Sequence, residues 1–140
     1  MKFISQSEKD TYDLAKKMAK TLRGGEIIGL VGELGAGKTV FTKGLAAGLG
    51  IKKHITSPTF ILMKIYRITN RKLQIAKFIH IDAYRLKNFH DLKNIGIEEY
   101  LNRKDAIVII EWADIVKRGL PKRAKFIKII SIKNKREIYV

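Results

Sequence analysis

Cysteine is absent from the 140-residue chain, which excludes disulfides, cysteine-ligated zinc and thiol catalysis together. Proline occurs twice and tryptophan once, and no proline-, glycine- or serine-rich stretch marks a linker. No apolar run approaches the roughly 18 residues that a membrane-spanning helix needs. The opening residues, MKFISQSEKD, lack the apolar stretch of a secretory signal. A cytoplasmic chain without membrane contact is expected. Its length predicts a single domain over 1–140, and 46% apolar with 30% charged residues is ordinary globular composition.

Acidic residues are scarce: 13 stand against 29 Lys and Arg, a formal net charge of +16. Such an excess suits an anionic partner such as RNA. The chain also holds 21 Lys and 22 Ile, a pairing that AT-rich coding sequence produces and that would spread lysine over every exposed face. One stretch stands apart, since 117–136 carries nine basic residues and no acid. Contact between that segment and nucleic acid stays open.

Ser5 followed by Glu8 has the capping-box spacing that satisfies two orphan amides at a helix start. Leu14, Ala15, Met18, Ala19 and Leu22 continue at helical spacing, and Gly24-Gly25 supplies a stop. Residues 26–31 (EIIGLV) read as a buried strand, followed by a helix over 38–49 that Gly50 ends. The runs 59–68 and 73–82 flank a turn at 69–72 and predict an antiparallel hairpin. Short helical turns follow over 91–101, broken at Gly96, and 106–110 (AIVII) is the clearest strand, buried on both faces. Residues 125–133 and 137–140 predict strands around a turn near Asn134. This order points to a three-layer α/β fold of the P-loop NTPase type. A central mixed sheet, parallel in its core and antiparallel at its edges, would be flanked by helices.

Between the first strand and the second helix lies Gly32-Glu33-Leu34-Gly35-Ala36-Gly37-Lys38-Thr39, a full G-x-x-x-x-G-K-[ST] phosphate loop. Glycines let backbone amides turn inward on phosphate oxygens, the Lys38 ammonium reaches the terminal phosphates, and the Thr39 hydroxyl suits Mg²⁺. The helix that starts there adds its positive dipole end. Residues 33–40, from Glu33 to Val40, are therefore the expected nucleotide-binding segment.

A phosphate loop alone names no reaction. Two acids close apolar runs where parallel strands would deliver them to the phosphate end of the sheet: Asp82 after FIHI and Glu111 after IVII. One should hold Mg²⁺ and the other orient water. The guanine-reading N-K-x-D pattern is missing, although Asn102-Arg103-Lys104-Asp105 comes near it, so ATP is the expected nucleotide. Two other readings compete with an ATPase. A small-metabolite kinase would want an arginine-bearing lid, for which only Arg118 and Arg123 offer themselves. A basic RNA-binding module would leave the phosphate loop vestigial.

Taken in order, GELGAGKT, Ser57-Pro58-Thr59-Phe60, His80-Ile81-Asp82-Ala83-Tyr84-Arg85-Leu86, Gly96-Ile97-Glu98-Glu99-Tyr100 and Ile110-Glu111-Trp112-Ala113 resemble one family at similar intervals. That family is TsaE (YjeE), the ATPase of the bacterial machinery that makes threonylcarbamoyladenosine in tRNA. The motifs cover about residues 5 to 115; the phosphate loop alone is generic, whereas S-P-T-F, H-x-D-x-Y-R-L and I-E-W-A together are highly specific. The resemblance implies that Lys38 and Thr39 bind ATP phosphates and Mg²⁺, that Glu111 is the second metal ligand, and that Asp82 is the catalytic acid near the water. Ser57, Pro58 and Thr59 would form the switch loop sensing the γ-phosphate. Pro58 fits, because it holds Ser57 extended. Trp112 would lie near the nucleotide or a partner, with a plain core aromatic as the alternative; Tyr84 and Arg85 would anchor the nucleotide side or merely cover the sheet end. His80 is expected to support Asp82. Ser5 to Glu8 would approach the adenine, set against the helix-cap role.

The resemblance further implies that TsaD with TsaB carries out the transfer. This chain would bind that pair and hydrolyse ATP for repeated turnover, feebly when alone. Contact with tRNA would be indirect or through 117–136. Two departures from the family pattern are Glu33, where Asp is frequent, and Val40, where a second Thr is common.

Overall fold

In the computed structural model every residue except Arg71 is described. One seven-stranded sheet runs through it, built from β1 (Lys2–Ser5), β2 (Ile27–Val31), β3 (Met63–Arg67), β4 (Lys77–Asp82), β5 (Ala106–Glu111), β6 (Lys125–Ile132) and β7 (Lys135–Tyr139). Among the described residues four α-helices accompany it, α1 (Glu8–Ala19), α2 (Lys38–Gly48), α3 (Phe89–Asn94) and α4 (Glu98–Leu101), with short 3-10 turns at Ala113–Ile115 and Lys117–Gly119. Strand order is β1-β7-β6-β2-β5-β4-β3. The inner strands β6, β2, β5 and β4 pair in parallel, whereas β3 at one edge and β7 and β1 at the other pair antiparallel. The mixed sheet with a parallel centre and antiparallel edges is the expected architecture. Among the described residues no helix is long and apolar enough to cross a membrane.

Side-chain alternation divides the core between the two faces of the sheet. Ile28, Leu30, Phe78, Ile107 and Ile109 pack with Ala15, Ala19, Phe41 and Leu45 of α1 and α2. Ile27, Ile79, Ile81, Val108 and Ile110 pack on the other face with Leu92, Ile97 and Leu101. Ala106 to Ile110 of β5 are each at most 1% exposed, and burying a Val or Ile side chain is worth about 1.5–3 kcal/mol. His80, Asp82 and Glu111 alternate with those residues on the α1–α2 face, which brings all three under the start of α2.

Several local readings need correction. Residues 2–5 form β1, and Ser5 is a buried strand residue whose hydroxyl bonds Thr11 Oγ1 at 2.7 Å. The cap of α1 is Ser7, which accepts from the Asp10 amide at 3.1 Å, while Asp10 accepts from the Gln6 amide at 3.0 Å. Residues 59–62 turn instead of extending: the Leu62 amide reaches Pro58 O at 2.6 Å, and Leu62 itself takes φ 69°. The hairpin therefore starts at Met63, and its second strand starts at Lys77 instead of 73. The predicted turn at 69–72 includes Arg71, which lies outside the described residues. At the far edge β7 begins at Lys135, two residues earlier than expected, after Lys133 at φ 53°.

Candidate functional site

A cavity of about 490 Å³ opens at the C-terminal ends of β2, β4 and β5, the end of a parallel sheet where ligands of such folds bind. Leu34, Gly35, Gly37, Lys38, Thr39 and Val40 line it from the phosphate loop, and Ser57, Thr59, Asp82, Tyr84, Glu111 and Trp112 line it from the facing elements. Four expected residues do not reach it. The Glu33 side chain is exposed, Ala36 and Pro58 are buried, and exposed Arg85 places its guanidinium carbon 4.6 Å from the Phe60 ring centroid. For 33 and 36 the expectation concerns the backbone of the loop, which no side chain needs to deliver.

Gly35 and Gly37, at φ 79° and 111°, give the loop the left-handed turns that other residues adopt only with strain. Lys38 is 5% exposed and donates to Gly32 O at 2.5 Å and Glu33 O at 2.7 Å. Its ammonium also sits 4.1 Å from the centre of the Trp112 ring, a cation–π contact. Burial pushes the Lys38 pKa below the ordinary lysine value, against the opposing pull of Glu111 and Asp82. Trp112 holds its place with φ 58° and a tilted contact to Tyr84, ring centroids 5.0 Å apart.

The two strand-end acids are neighbours, Asp82 on β4 in register with Glu111 on β5. They are 4% and 3% exposed, and each is tied to a different part of the rim. Glu111 Oε1 accepts from Thr39 Oγ1 at 2.9 Å, and its other oxygen lies 2.5 Å from His80 Nε2. Asp82 Oδ2 accepts from Ser57 Oγ at 3.0 Å and Thr59 Oγ1 at 2.9 Å, and Oδ1 accepts from the Tyr84 amide at 2.9 Å. A carboxylate has about four acceptor positions, so Asp82 retains one. His80 thus pairs with Glu111 across adjacent strands and not with Asp82, whose two oxygens are bonded by Ser57, Thr59 and the Tyr84 amide.

Sequence reading missed Arg136 and gave Glu8 only a passing place, yet both line the cavity. Arg136 comes from β7, with Nε buried, without a partner among the described residues, and 3.3 Å from where a Cβ on Gly37 would stand. Only the pairing of β7 with β6 and β1 explains how a residue near the C-terminus faces the phosphate loop. The rest of the basic run is partly occupied: Lys117 stacks over Phe126 at 4.9 Å and Arg123 donates to Leu101 O.

These residues fit a magnesium nucleotide. The loop offers glycine backbone and a buried ammonium, and the metal side offers only oxygen, a hydroxyl and a carboxylate, as a hard cation prefers. Among the described residues no three His, Asp or Glu side chains could hold a metal by themselves. Mg²⁺ at nucleotide sites commonly takes one or two protein ligands and completes its shell with phosphate and water.

The sequence profile of the threonylcarbamoyl adenosine biosynthesis protein TsaE matches residues 5–138. The chain belongs to the TsaE family. The TsaE protein of Treponema pallidum is 39% identical over 123 residues, 86% of this chain and 84% of its own length. The TsaE protein of Aquifex aeolicus is 42% identical over 113 residues, 79% of this chain and 75% of its own length. Among solved structures, YdiB of Bacillus subtilis superposes with a TM-score of 0.78 at 31% identity, covering 99% of this chain and 82% of that one.

Proposed function

We propose that this chain is the ATP-binding and ATP-hydrolysing subunit required to form the threonylcarbamoyl group on the tRNA adenosine next to the anticodon, acting with a TsaB–TsaD pair. Its relatives are named tRNA threonylcarbamoyladenosine biosynthesis proteins. The observation that carries the reading is the convergence, in one cavity, of the phosphate loop, two neighbouring strand-end acids and a hydroxyl-bearing loop.

Each residue has a part. Amides of the 33–40 loop and the Lys38 ammonium hold phosphate oxygens, which compete with the Gly32 and Glu33 carbonyls for that ammonium. Thr39 and Glu111 hold Mg²⁺, which when bound neutralises charge on the terminal phosphates. Asp82 orients the attacking water with its remaining acceptor position. Ser57 and Thr59, tethered to Asp82, report to the switch loop whether a γ-phosphate is in place. Arg136 and Trp112 flank the nucleotide from opposite elements.

Partner dependence has support at the rim. Leu34 and Tyr84 line the cavity and are 84% and 54% exposed, and Phe60 and Ile61, just after the lining residue Thr59, are 82% and 60% exposed; exposed apolar side chains near a cavity suit an interaction site. A partner seated there completes or gates the site, so hydrolysis by the chain alone is slow. In cells that lack their own TsaE protein, this chain is expected to restore threonylcarbamoyladenosine among the tRNA nucleosides, and its Lys38→Ala variant is not. Full restoration by that variant would contradict the proposal.

A further inference from the structure

We infer that His80 is a positioning residue for the metal side of the site: it holds Glu111 so that one carboxylate oxygen faces Thr39. The inference rests on the reading of Glu111 as a metal ligand. His80 is wholly buried in the middle of β4, between Lys64 of β3 and Ile109 of β5 in the register of the sheet. Its neighbours along the strand are apolar, and Phe78, two residues earlier on the same face, shows that an aromatic hydrocarbon fits that face. What the imidazole supplies there is a hydrogen bond.

The tautomer follows from the partner. A carboxylate accepts and cannot donate, so the proton in the 2.5 Å contact with Glu111 Oε2 sits on Nε2. Nδ1 is buried as well, and among the described residues no partner meets it. An unmet buried polar atom is a cost to the fold, and the Nε2 bond is the compensation visible on the ring. With Oε2 taken by His80 and Oε1 by the Thr39 hydroxyl at 2.9 Å, the carboxylate cannot rotate without losing both bonds. A three-member chain, His80–Glu111–Thr39, therefore runs from the buried centre of the sheet to the first turn of α2. Imidazole and carboxylate partners one step behind a metal are commonly worth 10–100-fold in metal affinity.

Trp112, the one tryptophan of the chain, stands beside Lys38 and serves as the fluorescence probe. Mg²⁺ is titrated into the full-length chain saturated with ATP. His80→Phe is expected to need about 10-fold more Mg²⁺ or beyond, while ATP affinity in EDTA stays at the wild-type value. His80→Gln, whose amide nitrogen reaches as far as Nε2, restores most of the Mg²⁺ response. An unchanged Mg²⁺ requirement in His80→Phe, or a His80→Gln variant as impaired as His80→Phe, overturns the inference. Should His80→Phe fail to fold by circular dichroism, the nitrogen-15 spectrum of the wild-type imidazole decides: a proton on Nε2 supports the inference, and a ring protonated at Nδ1 alone overturns it. Glu111→Gln separates the two readings. If it keeps the wild-type Mg²⁺ requirement, the metal role of Glu111 fails and the positioning role falls with it, whichever tautomer the imidazole shows.

Discussion

Thr39, at the start of α2, and Glu111, at the end of β5, lie 72 residues apart in sequence and are joined by a 2.9 Å hydrogen bond. This bond closes one side of the cavity and ties the phosphate loop to the end of β5, an inner strand of the sheet. Residues in such contact couple by about 0.5–3 kcal/mol in a double-mutant cycle. The cycle Thr39→Val, Glu111→Gln, scored by Mg²⁺-dependent ATP binding, is expected to fall in that range, and additive effects would show that the two act separately.

On the opposite side Asp82 is bonded by Ser57 and Thr59, and the proposed function has it orient the attacking water. Asp82→Ala is expected to lower ATP turnover by about 10²-fold or more, the usual worth of a positioned acid–base group. Equilibrium ATP affinity should change far less, because the phosphate loop is untouched. Comparable losses in both measurements would assign Asp82 to binding instead.

The elements that line the cavity were legible because their sequence pattern is local. The phosphate loop is eight consecutive residues, and Asp82 and Glu111 each follow a largely apolar run of strand composition, FIHI and IVII. What stayed hidden depends on long-range pairing. β1 is four residues at a sheet edge, held by β7 from the other end of the chain, so Ser5 read as a helix cap. The cap fell to Ser7 because Ser5 is committed to the strand. Arg136 sits in a run of basic residues with no motif around it, and nothing short of the β6–β7–β1 order brings it to Gly37. The stretch 59–62 has strand composition but turns, which lets Ser57 and Thr59 bond to Asp82.

The fold offers a test of its own where α1 and α2 cross. A Cβ on Gly48 would stand 2.5 Å from both Lys16 O and Ala19 Cβ, and one on Gly44 would stand 2.4 Å from Tyr12 O. Either Gly→Ala change forces the helices apart, at about 1–3 kcal/mol. Thermal melts are expected to show a Tm lower by about 3–10 °C; an unchanged Tm would mean that the helices do not pack this closely.

If Lys38 holds phosphate as proposed, it sets an alkaline limit on nucleotide binding. Its folded pKa lies below the ordinary lysine value because burial disfavours the charged form. As pH rises through that lowered pKa the ammonium loses its proton and with it the phosphate contact. ATP affinity should therefore fall at lower pH than an exposed lysine would dictate, and Lys38→Met should show no such decline. Binding titrations across alkaline pH check this, and parallel profiles for the two proteins would contradict it.

The most direct test of the central claim is phosphate release from Mg-ATP by the purified chain, alone and with the TsaB–TsaD pair of the same organism. Slow release by the chain alone, changed by the pair and abolished by Lys38→Ala, is the predicted result. A rate that the pair leaves unaltered, in a chain that does not bind the pair, would contradict a partner-dependent ATPase.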